Sequence, residues 1–225
     1  MTQIALTSSC FTPLDTHQIK QVIKILLPEN PVILEAGAHE GGDTAQMAQL
    51  WPKATLYAFE PVPTIFERLK FKTQSYSNVH AFQLALSNTT GITKFFISSG
   101  DSDCSSSLLE PKEHLKYHPT VYFKNTIEVQ TMTLDEWAQK NHVDHIDFMW
   151  LDMQGSELAM LKASPKIFST VSVIYTEVNF CEAYKGCPLY PELRAWLESQ
   201  GFVVAHEDLH RWVDFGDVLF VRKKQ

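Results

Sequence analysis

The chain has 225 residues, 44% of them hydrophobic, and a formal net charge of −7 with a pI near 5.7. That length suits a single α/β domain, folding of which buries about 70% of the surface the unfolded chain exposes. The acidic balance and the lack of a basic block exclude a nucleic-acid backbone as the main partner, and the apolar runs fall far short of the ~20 residues of a membrane span.

Asp15 or Thr16 can cap a first helix over 16–27, with Ile19, Val22, Ile23, Leu26 and Leu27 at helical spacing and Pro28 and Pro31 ending it. A strand over 32–36 leads into a helix from Gly42 to Leu50. A second strand over 55–59 is followed by a helix near 63–74 and a third strand over 79–84. Residues 92–97 read as an extra strand. Residues 98–119, rich in serine and without a period, read as a long loop, either a lid or acceptor loop or a surface insert. Residues 128–131 form a short strand, and Thr133 with Glu136 predicts a capping box for a helix over 134–141. A fourth strand ends at Leu151, a helix spans 156–163, a fifth strand spans 171–176 and a last helix spans 190–200. Two strands, 202–205 and 218–221, joined through Asp214-Phe215-Gly216, close the chain. With no repeat and no linker, one domain over 1–225 is expected, its core near 30–222 and a helical segment at 15–27.

Strands alternating with helices imply a mostly parallel sheet with helices on both faces. Right-handed crossovers then bring all the parallel strand ends to one edge, where ligands bind in open sheets. Glu35, Glu60, Asp152 and Glu177 each end or follow such a strand. The most informative stretch is Leu34-Glu35-Ala36-Gly37-Ala38-His39-Glu40-Gly41-Gly42. Gly37 allows close backbone approach, and the helix opened by Gly41 and Gly42 presents amides to a carboxylate. Thr44 can add a hydroxyl. The middle glycine of a dinucleotide fingerprint is missing, and acids at 35 and 40 repel a pyrophosphate but accept a sulfonium. S-adenosylmethionine is therefore the expected cofactor. Glu60 is placed for the ribose hydroxyls, with Pro61 and Val62 bordering the adenine.

Asp152, Glu177 and His206 are the candidate catalytic groups. Asp152 can face the sulfonium or take an acceptor proton. Glu157, in the first turn of its helix, serves equally well as a cap. Glu177 and Asn179 can bind the acceptor, and their spacing with Asp152 is not distinctive enough to assign a metal. His206 stands beside Glu207 and Asp208 after a predicted strand, with His210 as a competitor, and Trp212 can line an acceptor pocket. The opening residues Met1-Thr2-Gln3-Ile4-Ala5-Leu6 lack the features of a secretory signal. The four cysteines, at 10, 104, 181 and 187, are too few and scattered for a disulfide framework. Cys181 and Cys187 can pair or bind metal, but reduced thiols in a cytoplasmic protein are the simpler expectation.

Taken in order, Leu34 to Gly41, Phe59-Glu60-Pro61, Ala85-Leu86-Ser87-Asn88, Thr133-Leu134-Asp135, Leu151-Asp152-Met153-Gln154-Gly155-Ser156-Glu157 and Gly216-Asp217-Val218-Leu219-Phe220-Val221 resemble the FkbM family of class I methyltransferases. The resemblance implies a Rossmann-like, seven-stranded sheet whose last strand is antiparallel, with S-adenosylmethionine as methyl donor. It implies that Glu35 and Gly37 match the first cofactor motif, and Ala36, Ala38, His39, Gly41 and Thr44 beside them are expected at the cofactor as well. Glu60 would be the ribose acid, Ala85 and Leu86 would flank adenine, and Asp152 would match the acid of an Asp-Val-Glu-Gly-like motif. Two positions depart from the family: His39 stands where Asn is common, and Gln154 where Glu is common. The implied reaction is methylation of a hydroxyl on a small molecule or glycan. A nicotinamide-dependent oxidoreductase and a non-catalytic binding module are the alternatives. Oligomeric state is not readable.

Overall fold

The computed structural model describes residues 14–223; the N-terminal segment read for a signal, and Cys10, lie outside them. Asp15 and Gln18 form the reciprocal cap of helix α1 (Thr16–Leu26): the Gln18 amide donates to Asp15 Oδ1 at 2.7 Å and the Asp15 amide to Gln18 Oε1 at 3.0 Å. The chain then alternates β1 (Val32–Ala36), α2 (Gly42–Leu50), β2 (Thr55–Phe59), α3 (Pro63–Thr73) and β3 (Val79–Phe82). A peripheral segment follows: β4 (Ala85–Leu86), β5 (Gly91–Gly100), the short α4 (His114–Tyr117) and β6 (Val121–Met132). Alternation resumes with α5 (Leu134–Asn141), β7 (Phe148–Leu151), α6 (Glu157–Lys162), α7 (Pro165–Phe168), β8 (Val173–Asn179), α8 (Tyr190–Ser199), β9 (Phe202–Asp208) and β10 (Phe215–Arg222).

Seven strands form one sheet in the order β3-β2-β1-β7-β8-β10-β9. The first five run parallel, and β10 lies antiparallel between β8 and β9. Side chains of a strand alternate between its faces, and here both faces are covered. Leu34, Ala36, Met149, Leu151 and Ile174 join one apolar cluster, with Trp137, Leu161, Phe168 and Leu197 from α5 to α8. Ile33, Phe148, Trp150, Val173 and Tyr175 join the other, with Ile19, Ile23, Met47 and Leu69 from α1 to α3. A sheet buried on both sides explains the continuous apolar runs of β1 and β7.

The largest difference from the sequence expectation is the small sheet, ordered β4-β6-β5. The short strand read at 128–131 is the end of a twelve-residue strand, and the one read at 92–97 spans ten. Through β6, Val121, Phe123, Ile127 and Val129 alternate with exposed Lys124, Thr126, Glu128 and Gln130, but an exposed Tyr122 and an Asn125 on the inward row break the apolar pattern at its start. The irregular loop shrinks to 101–113 and is pinned by an antiparallel bridge between Phe96 and Ser107. The capping box at α5 is half formed: the Glu136 amide donates to Thr133 Oγ1 at 3.3 Å, but the Thr133 amide donates to Thr90 Oγ1 at 3.2 Å. Strands β8 and β9 run beyond their expected ends, which places Glu177, Asn179 and His206 inside strands rather than after them. Among the described residues no helix is long and apolar enough to cross a membrane.

Candidate active site

The register brings the ends of β2, β1 and β7 level, with Ala36 beside both Phe59 and Leu151. Gly37 leaves β1 with a φ of +84°, and a Cβ there would lie 1.8 Å from the Asp152 carbonyl oxygen. Only glycine tolerates that approach. The amides of Gly37 and Ala38 both donate to the Phe59 carbonyl, at 3.1 and 2.9 Å. The turn is thereby tied to β2, and Glu60 is carried to its edge.

Glu60 is buried, and both its carboxylate oxygens accept backbone amides: His39 at 3.1 Å and Val62 at 2.7 Å. Burial nevertheless raises its pKa to about 7, against the lowering effect of those bonds. Glu35 is also buried and accepts the Thr44 hydroxyl at 2.5 Å. Its pKa rises to about 8, first through burial and then through the nearby Asp43. Asp43 itself is ion-paired with Lys20, a lysine of α1 that is 1% exposed and lies over the Trp150 ring.

A cavity of about 260 Å³ opens on this edge. Of the residues expected at a cofactor, Glu35, Ala36, Gly37, Ala38, His39, Glu60, Pro61, Ala85, Leu86 and Asp152 line it. Gly41, Thr44 and Val62 do not, which corrects their expected direct contact. Gly41 sits in a left-handed turn packed on Leu69, Thr44 is fully buried behind Glu35, and Val62 faces an apolar cluster. Loop residues Asp103, Cys104, Ser106 and Leu108 complete the wall. Asp103 holds that loop in place through His39 Nε2 at 2.9 Å and Arg68 Nη2 at 2.5 Å.

A second cavity, of about 410 Å³, adjoins the first along β7, β8 and β10. The two share Asp43, Cys104, Trp150 and Asp152. Two acids, Asp43 and Asp152, thus face both; Asp43 is ion-paired with Lys20, whereas Asp152 has no ion-pair partner among the described residues. Gln154, in a left-handed backbone conformation (φ +51°), donates from Nε2 to Asp152 Oδ1 at 2.6 Å and to Glu177 Oε1 at 3.0 Å. The Tyr184 hydroxyl lies 2.6 Å from Gln154 Oε1 and 2.9 Å from the Ser105 carbonyl oxygen, sharing its one proton between them. Burial raises Asp152, and burial together with Asp152 raises Glu177 well above the usual carboxylate range. Two desolvated carboxylates held by one amide titrate as a pair.

Glu177, Asn179 and Trp212 all line this second cavity. His206 does not. It lies within the edge strand β9 opposite Leu219, lining neither cavity, and so drops out as a candidate base. Glu157 accepts the Met153 amide at 2.7 Å, which makes it a brace for the turn after β7. The thiols of Cys104, Cys181 and Cys187 are free, so the possible Cys181–Cys187 pairing does not form. Sequence reasoning missed Lys20, Asp103 and Asp217. Asp103 and Asp217 line the cavities themselves, Lys20 reaches the wall through Asp43, distant in sequence, and only the helical spacing of α1 hinted that Lys20 faces inward.

The sheet order, the antiparallel β10 and the acid-edged cavity at the parallel strand ends define a class I methyltransferase. Fold neighbours agree. A magnesium protoporphyrin IX methyltransferase from Synechocystis PCC 6803 with bound S-adenosylmethionine aligns with a TM-score of 0.52 at 13% identity, over 94% of this chain and 86% of that one. The N-terminal domain of EvdMO1 with bound S-adenosylhomocysteine aligns with a TM-score of 0.52 at 15% identity, over 95% and 82%. The chain belongs to the FkbM methyltransferase domain family, which it matches over residues 35–204. A 2-O-methyltransferase, NoeI of Sinorhizobium fredii, is 33% identical over 74% of this chain and 71% of its own length. The methyltransferase sdnD of Sordaria araneosa is 25% identical over 80% and 77%. The chain is an S-adenosylmethionine-dependent methyltransferase, which removes the nicotinamide alternative.

Proposed function

We propose that the chain transfers the methyl group of S-adenosylmethionine to a hydroxyl oxygen of a small-molecule or glycan acceptor. The observation that carries this reading is the junction of two cavities at Asp152. The oxygen acceptor is supported by the 33% identical relative that is named a 2-O-methyltransferase.

The residues of the first cavity fit the cofactor chemically. Glu35 and Asp152 are buried carboxyls that a cationic ligand would favour in the ionised form, Glu60 keeps acceptor capacity for ribose hydroxyls, and Ala85, Leu86 and Ile65 give an apolar wall for a base. When bound, the cofactor supplies an electrophilic methyl carbon. The chain's part is to align an acceptor oxygen and exclude water. Asp152, steadied by Gln154 beside Glu177, takes the hydroxyl proton as the new bond forms. A carboxylate made more basic by burial suits that task. The acidic second cavity argues against a phosphate-rich acceptor such as nucleic acid. We also propose one methyltransferase domain over the chain and, from the free thiols, a reducing cytoplasmic setting.

Carbon-13 methyl transfer from labelled S-adenosylmethionine into a fractionated metabolite extract, read by NMR, tests the reading. A labelled methyl ether is expected. Labelled N-methyl product, or tight cofactor binding with no transfer to any fraction, would overturn it.

A further inference from the structure

The second cavity has a chemistry of its own. Asp43, Asp152, Glu177, Asp214 and Asp217 contribute carboxylates to its wall, and no lysine or arginine lines it. Most of these acids already have partners. Asp43 pairs with Lys20, Asp214 Oδ2 lies 2.8 Å from His118 Nε2, and Asp152 and Glu177 share the Gln154 amide. Asp217 differs: its carboxylate takes no hydrogen bond from any described residue. His114, 5% exposed, also lines the cavity, and its Nδ1 has no partner among the described residues. The cavity therefore offers waiting polar groups whose own counter-charges are spoken for.

Its mouth is aromatic. Trp212 is 48% exposed and stacks on Phe215, with ring centroids 5.4 Å apart and planes 19° apart. Both rings line the cavity. A half-exposed indole backed by a second ring is a flat apolar platform beside a wall of hydrogen-bond acceptors.

We propose, on the reading of this cavity as the acceptor site, that the acceptor is an uncharged sugar ring. A pyranose has an apolar C–H face to lie on Trp212 and an edge of hydroxyl donors for Asp217 and the Asp152–Glu177 pair. A phosphorylated or carboxylated sugar meets five carboxyl groups in a wall with no lysine or arginine to receive it.

The test is calorimetric titration into the full chain saturated with S-adenosylhomocysteine. The titrants are methyl hexopyranosides, the matching hexose phosphates and hexuronic acids, free-amine hexosamines, and a catechol. At least one neutral glycoside is expected to bind, roughly a hundredfold tighter than its phosphate or uronate counterpart. Trp212→Ala is expected to weaken it roughly tenfold with nucleoside affinity unchanged. Tighter binding of the phosphate, the free amine or the catechol would overturn the inference, as would a Trp212→Ala variant with undiminished glycoside affinity. Nucleoside binding with no glycoside bound defeats this inference alone, whereas failure to bind the nucleoside defeats the methyltransferase reading beneath it.

Discussion

The two cavities meet at Asp43 and Asp152 but are built differently. Around the first, acids are held mainly by the backbone and a short hydroxyl: Glu60 by the amides of Val62 and His39, and Glu35 by the hydroxyl of Thr44. Around the second, they are held by longer side chains, as where Gln154 joins Asp152 to Glu177 and Tyr184. A cradle of backbone amides is fixed by the turn that forms it. A wall built from longer side chains can be altered without moving the backbone.

If that contrast is right, damage to the second cavity should spare nucleoside binding. The largest effect is expected for Asp152→Asn, which keeps the shape and removes the base. Turnover should fall by about a hundredfold or more, while S-adenosylhomocysteine affinity measured by calorimetry changes far less. Normal turnover would remove Asp152 from the chemistry.

A smaller effect is expected for Gln154→Leu. Without its amide, Asp152 and Glu177 face each other with less to offset their repulsion, so the proton shared by the pair is held more tightly. Activity requires the ionised base and rises with pH, so the acidic limb of the kcat profile should move to higher pH, with turnover lowered roughly tenfold at neutral pH. An unmoved limb would show that Gln154 only packs.

Subtler still is the pH dependence of stability. Glu35 is raised to about 8, and Glu60, Glu157 and Asp217 to about 7, against ordinary values of 4.5 for Glu and 3.8 for Asp. Between those limits the folded chain holds protons that the unfolded chain has released. Their contribution is complete below the unfolded values and is lost as pH rises through 7 to 8. The Tm of the ligand-free protein should therefore fall from about pH 5 to about pH 8.5, and a cationic ligand should reduce the fall. A Tm that climbs over this range would refute the desolvation of these acids. The smallest effect is expected for His206→Ala, where turnover should stay within about twofold of the parent value because the residue reaches neither cavity.

The same division explains what could be read from the chain alone. The strand–acid–glycine turn at Glu35 and Gly37, and the acid after β2, are local patterns, and the fold follows from apolar runs alternating with helical spacing. In β6 an exposed Tyr122 and an Asn125 on the inward row blur the apolar alternation at its start, so only the end of that strand was read. Thr44 and Val62 belong to the right segments, but burial turns them away from the cavity. His206 misled because an acidic cluster after an apolar run imitates a strand end, whereas β9 continues to Asp208. The bridge made by Gln154 depends on a left-handed backbone that joins nearby Asp152 to the distant Glu177 and Tyr184, and no sequence spacing announces it.

The central claim, that acids at the parallel strand ends cradle the methyl donor, is tested most directly at Glu60. Calorimetric titration of S-adenosylhomocysteine into the parent protein and Glu60→Gln, with Tm measured alongside, should show roughly tenfold or greater weakening with the fold retained. Equal affinity in the two proteins would contradict the account.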